Sequence, residues 1–387
     1  MKIFQEISQN LAKLGLSMNY SARNTVLITL TSSLMIFYFG STFWFSVYES
    51  KTFIEFNEAL FVCVTSLLHL LEYIVLFWEK SRVYQLINRF AGVIQPRLIK
   101  TSVYRKANEK IEKWSSLTYR RIVNVGQVYL LPNVIVSLIT WIRTDYSIES
   151  FRLPYPASFP YDWRTPFGYL FAVCIQTVTI RYVCTCLACI TSLYIAFCEF
   201  LMTFILDIEQ MLNDLDSGIE TTTIDTNTRI AKKLKFIEII RLHADAKQLG
   251  YGFVDIFDKF VMNYFLNGII TMCTMLGIVQ MAIDSGNLYW IASPFAALIA
   301  VLAMIGIFCL FGDDITRRFE DVAIDFFHSK WYLYPAEMRR AIVTIMIVAQ
   351  KPIHVRGLGI VYCTRELFKK TINIGFSCFM LLRQFKQ

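Results

Sequence analysis

Six long stretches of this sequence carry almost no charge, and their spacing limits the fold more than any other feature. Val26–Val47, Ile122–Ile142, Val261–Ile283 and Leu288–Phe311 have no charged residue; Ala59–Trp78 holds only His69 and Glu72, and Phe167–Leu206 only Arg181 and Glu199. A helix needs about 20 residues to cross a hydrocarbon core about 30 Å thick. Each stretch meets that length, and Phe167–Leu206 is twice as long as needed, so one of its ends should project into water as continuous helix. With 55% hydrophobic residues and a mean hydropathy of +0.46, the chain lies outside the range of soluble domains. An all-α integral membrane protein is expected, and no signal peptide is expected before the first run, because residues 1–20 are charged and amphipathic.

A seventh crossing is expected at the C-terminus. Thr371–Leu382 is uncharged, follows Arg365, Glu366, Lys369 and Lys370, and holds Asn373, Gly375 and Ser377 where a lipid-facing helix would hold leucines. From Cys363 the chain has 25 residues left, about 37 Å of helix. Such a helix is tolerated where its polar stripe faces protein or water. This makes it the candidate pore lining, with an amphipathic surface helix as the alternative. Leu381 and Phe385 stand four apart and share a face, a spacing that suits a hydrophobic gate.

The distribution of Lys and Arg sets the orientation. The connections that would share one side (1–25, 79–121, 207–255 and 312–356) carry 27 of the 38 basic residues, against 6 on the other side. The positive-inside rule then places the N-terminus in the cytosol and, after seven spans, the C-terminus outside. The net charge of +8 follows from the same asymmetry, so no nucleic-acid partner is implied. Cys184, Cys186 and Cys189 read as small residues for helix packing, since no His or carboxylate stands at metal-ligand spacing beside them. No cofactor is called for.

The connection 143–166 holds four of the nine prolines in FRLPYPASFPYDWRTP, which prevents regular helix and gives a stiff aromatic cap, either a lid or a plug. Pro132 should kink the third span. The cytosolic segments about 200–260 and 312–352 are charged and helix-prone, and should pack as one layer promoting oligomerisation. Within it Trp331, Tyr332 and Tyr334 are large aromatics in charged surroundings, the composition of an interface core.

Three groups of residues then carry a resemblance. Gly312-Asp313-Asp314-Ile315-Thr316, His328 to Pro335 (HSKWYLYP) with Arg339-Arg340, and Met346 to Pro352 (MIVAQKP) resemble the C-terminal signature of insect odorant receptors. The run Pro156 to Gln176 is similar to the same family's loop into span four. The resemblance implies a tuning subunit in the plasma membrane of a sensory neuron, pairing with a shared coreceptor in a heterotetramer around one cation pore. It also implies that Leu381 and Phe385 take the gate positions and Gln384 the polar pore position within a pore helix of about 363–385. Arg383 departs from the coreceptor's apolar residue, and Ser377-Cys378 departs from the Thr-Tyr of gustatory receptors, whose homomeric channels are the alternative.

A G-protein-coupled receptor would require the opposite orientation, and an enzyme or transporter would require more intramembrane chemistry than His69, Glu72, Arg181 and Glu199 supply. Counting inward from the outer ends gives a candidate ligand wall: Val64 and Leu68 on span two, Ser137 and Trp141 on span three, Tyr169, Val173 and Gln176 on span four, and Tyr289 on span six. Residues on the same span recur at three- or four-residue steps and so can share a face. The wall is apolar and aromatic with a few hydroxyl or amide groups, which suits a small neutral volatile in membrane lipid surroundings.

Overall fold

In a computed structural model, the chain is described over residues 2–18, 21–51, 53–143, 153–217, 226–284 and 292–384, with some side chains left aside, those of 125–133 and 136–138 among them. Its helices are α1 (Lys2–Lys13), α2 (Ala22–Trp44, extended by a π-helical turn Phe45–Glu49), α3 (Phe53–Lys100), α4 (Ser102–Arg143) and α5 (Pro166–Ser217). There follow α6 (Thr226–Asp284), α7 (Ala292–His328), α8 (Ala336–Ala349) and α9 (Arg365–Gln384). A two-residue hairpin, β1 (Arg356–Gly357) with β2 (Val361–Tyr362), links α8 to α9. Its turn uses Leu358 and Gly359, both at positive φ.

The lengths follow from the charge pattern. Every apolar run but the first shares one helix with an adjoining charged, helix-favouring segment, and Gly312, at that junction in α7, does not interrupt the helix. Thus α5 reaches 52 residues, about 78 Å, and the run 261–283 is the second half of a helix that begins at Thr226. Among the described residues, five helices are long and apolar enough to cross a membrane: those at Ala22–Glu49, Glu55–Ile99, Pro166–Ser217, Arg229–Met281 and Ala297–His328. The polar α9 is not one of them. Third-span residues lie on α4, whose backbone stays helical through Pro132 to Arg143.

α5 is the axis of the bundle. Its most apolar window is 89% buried, against 28% for α2, so α5 is surrounded by protein while α2 keeps most of its surface for lipid. Phe197 shows why neighbours converge there. Its ring meets Phe4 of α1 at 5.8 Å, Phe90 of α3 at 4.7 Å, and Phe253 and Phe257 of α6 at 6.1 Å. Tyr194 adds α7, with its ring 4.4 Å from Phe308 and its hydroxyl donating to the Phe308 carbonyl at 2.8 Å. Cys184, Cys186 and Cys189 are buried in these helix contacts.

Ion pairs tie the helices together where the apolar runs give way to charge. Buried Glu79 of α3 receives Lys259 of α6 at 2.6 Å and Arg82 at 3.0 Å, and Arg82 also grips Asp255. Glu199, a mid-run candidate in the sequence, meets Lys110 of α4 at 2.6 Å. Arg365, at the start of α9, holds Asp314 at 2.6 Å and Asp313 at 3.3 Å on α7. Beyond this level the ends of α5, α6 and α7 pack with α8 around Phe236, Phe326, Met338 and Ile342.

At the opposite end the proline-rich cap is fastened to two helices. The Gln176 amide donates to the Tyr155 carbonyl at 2.9 Å and accepts from the Tyr155 N–H at 3.3 Å. Ser158 donates through its N–H to the Ser41 carbonyl at 3.1 Å and through its hydroxyl to Glu49 at 2.5 Å. Ala157 and Phe159 are buried beneath, with Phe159 facing Phe37 at 6.0 Å. Proline removes backbone donors, so side-chain partners are what hold such a segment.

Three outcomes are expected. Phe197→Ala should cost about 3–5 kcal/mol of unfolding free energy, the range for a deleted buried aromatic, whereas Phe171→Ala, at a position 59% exposed, should cost little; denaturant titration of the purified protein checks both. Gln176→Leu removes both bonds to Tyr155 and should speed trypsin cleavage after exposed Arg164, measured by limited proteolysis. Burial, with the carboxylates of Glu209 and Asp321 nearby, pushes the Asp325 carboxyl of α7 up to about 6. A raised folded value means that stability is lost as pH rises through about 6 and recovered on acidification. Asp325→Asn should therefore raise the melting temperature at pH 7 and weaken the gain seen on going to pH 5.

Candidate functional site

Three regions carry the candidate residues: the wall at the cap end, the C-terminal helix and the aromatics of the charged end. On α3, Leu68 is 9% exposed and Val64 half-buried. On α5, Tyr169 is buried, Val173 half-buried, and Gln176 fully buried with its amide committed to Tyr155. Trp141 of α4 is half-buried. The Ser137 side chain and the whole of Tyr289 lie outside the described residues. Of the α5 triple, Gln176 is the cap's fastening, while Ala172 and Ile175 of α5 pack with the cap's Ala157 and Phe159.

The structure adds a second layer to the α3 wall that sequence reasoning missed. Asn263 and Tyr264 of α6 reach it from behind: Asn263 Nδ2 donates to the Leu68 carbonyl at 3.2 Å, and the Tyr264 hydroxyl donates to Glu72 Oε1 at 2.5 Å. The other carboxylate oxygen of Glu72 lies 3.2 Å from His69 Nδ1. Glu72 is 2% exposed and Tyr264 6%, so the cluster sits between helices. The sequence signals for it were Asn263-Tyr264 in an uncharged run and His69 with Glu72 in another.

The C-terminal helix has two distinct faces. Buried Thr371 and Gly375 turn inward; a Cβ at Gly375 would stand 2.2 Å from Met272 Cε and 3.2 Å from Met272 Cβ, so α9 lies close against α6. Asn373, Ser377, Leu381 and Gln384 are all exposed. Their steps of four, four and three residues place them on one face. Phe385 lies outside the described residues. The hairpin leading into α9 rests on α6 as well: Gly357 abuts the Met262 backbone, where a Cβ would come within 2.9 Å of its nitrogen, and the Gly359 N–H donates to Asp258 at 3.3 Å.

At the charged end the three aromatics differ. Tyr334 is 6% exposed, and its hydroxyl donates to Asp216 at 2.6 Å; Trp331 is half-buried against the same core; Tyr332 is 60% exposed. Nearby, α7 and α8 frame an open groove of about 410 Å³ lined by Glu320, Ile324, Phe327, Met346 and Pro352. Ile324 and Phe327 stand 51% and 64% exposed there. It lies at the charged end, away from the wall, and leaves these apolar side chains uncovered.

The fold and the sequence have known counterparts. Over 99% of this chain and 98% of the other, the fold superposes on the insect olfactory receptor OR5 from Machilis hrabei with a TM-score of 0.75 at 14% identity. The structure of that receptor in complex with eugenol matches at a TM-score of 0.74 and 13% identity, covering 99% of each chain. These likenesses establish a shared multi-helix membrane fold. A sequence model described as 7tm odorant receptor matches residues 52–376. With that match spanning most of its length, the chain belongs to the 7tm odorant receptor family, a family of sensory receptors and not of enzymes.

Proposed function

We propose that this receptor is the odorant-binding subunit of a ligand-gated, non-selective cation channel, with α9 as its contribution to a shared pore. The observation that carries this reading is the outer face of α9. Asn373, Ser377, Leu381 and Gln384 form an uncovered polar stripe with one large apolar residue, on a helix whose other face is locked to the bundle through Gly375 and Arg365. Such a stripe is costly in lipid and favourable along water. Copies arranged around an axis would turn it onto a common path, where Leu381 and Phe385 close the path by dewetting and Gln384 lines it.

In this reading the chain crosses the plasma membrane seven times with its N-terminus in the cytosol, as the basic residues of the charged end require. Its partner is the odorant receptor coreceptor in a heterotetramer. Residues of about 200–260 and 312–352 form the subunit contact, with Trp331, Tyr332 and Tyr334 at the interface and exposed Ile324 and Phe327 lining the groove. The ligand is a small neutral volatile held by Val64, Leu68, Ser137, Trp141, Tyr169, Val173, Gln176 and Tyr289. Eugenol, bound by the Machilis hrabei receptor, is of that chemical class.

Two recordings in cells co-expressing the coreceptor test the reading. Leu381→Ala should raise basal current at matched surface expression; unchanged basal and evoked currents would remove α9 from the pore. Ser137→Ala and Tyr169→Ala should shift the half-maximal odorant concentration by about 2- to 10-fold, the worth of one hydrogen bond, with direct coreceptor agonism intact. Unmoved curves across the whole wall would place the ligand elsewhere.

A further inference from the structure

We propose that the hydrogen bond from Tyr264 to Glu72 is the positioning contact through which the α3 wall moves α6, and α6 in turn moves α9. The inference deepens the channel reading above and rests on it for its functional arm. It begins from a buried carboxylate. Glu72 lies within an apolar run, 2% exposed, with one oxygen receiving the Tyr264 hydroxyl and the other facing His69. Leaving either partner unsatisfied in so dry a place is expensive, so α6 follows α3 when α3 shifts. One turn nearer the cap, Asn263 donates to the carbonyl of Leu68, a candidate wall residue. Two successive residues of α6 therefore read the position of the wall.

Three contacts show where such a shift would go. The Tyr264 ring stacks on Phe308 of α7 at 4.5 Å, and Phe308 is itself pinned to the central helix by Tyr194. Four residues on, Gly268 sits where a Cβ would come 2.4 Å from Ile305 Cδ1, so α6 and α7 are in close register. Four further, Met272 fills the space over Gly375 of α9, about 12 Å along α6 from Tyr264. In the other direction Asp258 and Met262 hold the hairpin from which α9 starts. α6 thus touches α9 near its middle and at its root, and Tyr264 lies between the two holds. Closely packed helices shift as bodies between discrete arrangements, which is the condition for a local contact to act at a distance.

Two measurements on the full chain assembled with the coreceptor test this. Tyr264→Phe keeps the ring on Phe308 and removes only the hydroxyl; Glu72→Gln keeps an acceptor for that hydroxyl. Hydrogen exchange of the purified complex, with no odorant present, should show several-fold faster exchange at the hairpin amides and the first turn of α9 in Tyr264→Phe, and wild-type rates in Glu72→Gln. Faster exchange confined to α3 and α6, or none, overturns the proposal. In the second measurement, whole-cell currents are recorded with a panel of neutral volatiles that includes eugenol. Tyr264→Phe should lower the maximal odorant current relative to the current evoked by a direct coreceptor agonist, with little change in half-maximal concentration. A shifted half-maximal concentration with an unchanged maximum makes the contact part of ligand binding and overturns the relay. If the wild type is silent to the panel, the odorant-gating reading fails by itself, and the exchange result alone decides the relay.

Discussion

Burial of α5 on every side is the constraint on which the rest of the structure depends. Inside lipid, apolar surface gains little by meeting other apolar surface, so a bundle is held by dispersion, small residues that admit close approach, and interhelical hydrogen bonds. α5 offers all three. Cysteines, alanines and Thr191 and Ser192 let neighbours come near, Phe197 and Phe204 fill the remaining space, and Tyr194 supplies a hydrogen bond to α7. Because α1, α3, α4, α6 and α7 all pack on this axis or on one another, their outer faces are left to lipid and their inner faces have fixed partners.

Charge is confined to the levels at which it can be solvated or paired. Glu79 with Arg82 and Lys259, and Arg365 with Asp313 and Asp314, stand where apolar runs end, joining α3 to α6 and α9 to α7, while Glu199, inside the α5 run, is met by Lys110 from the charged half of α4. Their partial exposure lowers the desolvation cost that a fully buried pair would carry. Glu72 is the exception, deep in an apolar run and held by the Tyr264 hydroxyl and His69, so that it too links α3 to α6.

Much of this architecture was legible in the chain. Uncharged runs gave the positions of the apolar helices, and the break-free passage into charged segments anticipated the lengths of α5 and α7. The proline cluster gave an irregular cap, and the polar composition of 371–382 set α9 apart from the lipid-facing helices. What resisted reading were contacts: that the Gln176 amide bonds to both backbone groups of Tyr155, and that the Tyr334 hydroxyl donates to Asp216. Asn263 and Tyr264 drew no notice because a polar pair in a span has no meaning until its neighbour is known.

The sequence by itself determined which segments are helices, where the apolar runs and the charge lie and, through the residues of 312–352, the family resemblance. Hydropathy, helix-breaking residues and motif spacing are local properties, and they survive without knowledge of neighbours. Only the tertiary structure decided that α5 and not the C-terminal helix is the axis, that Gly375 faces Met272 while Asn373 and Ser377 face outward, and that α6 joins the α3 wall to α9. Those facts depend on which helix lies beside which and at what rotation, and near-uniform apolar surfaces do not encode that in any single segment.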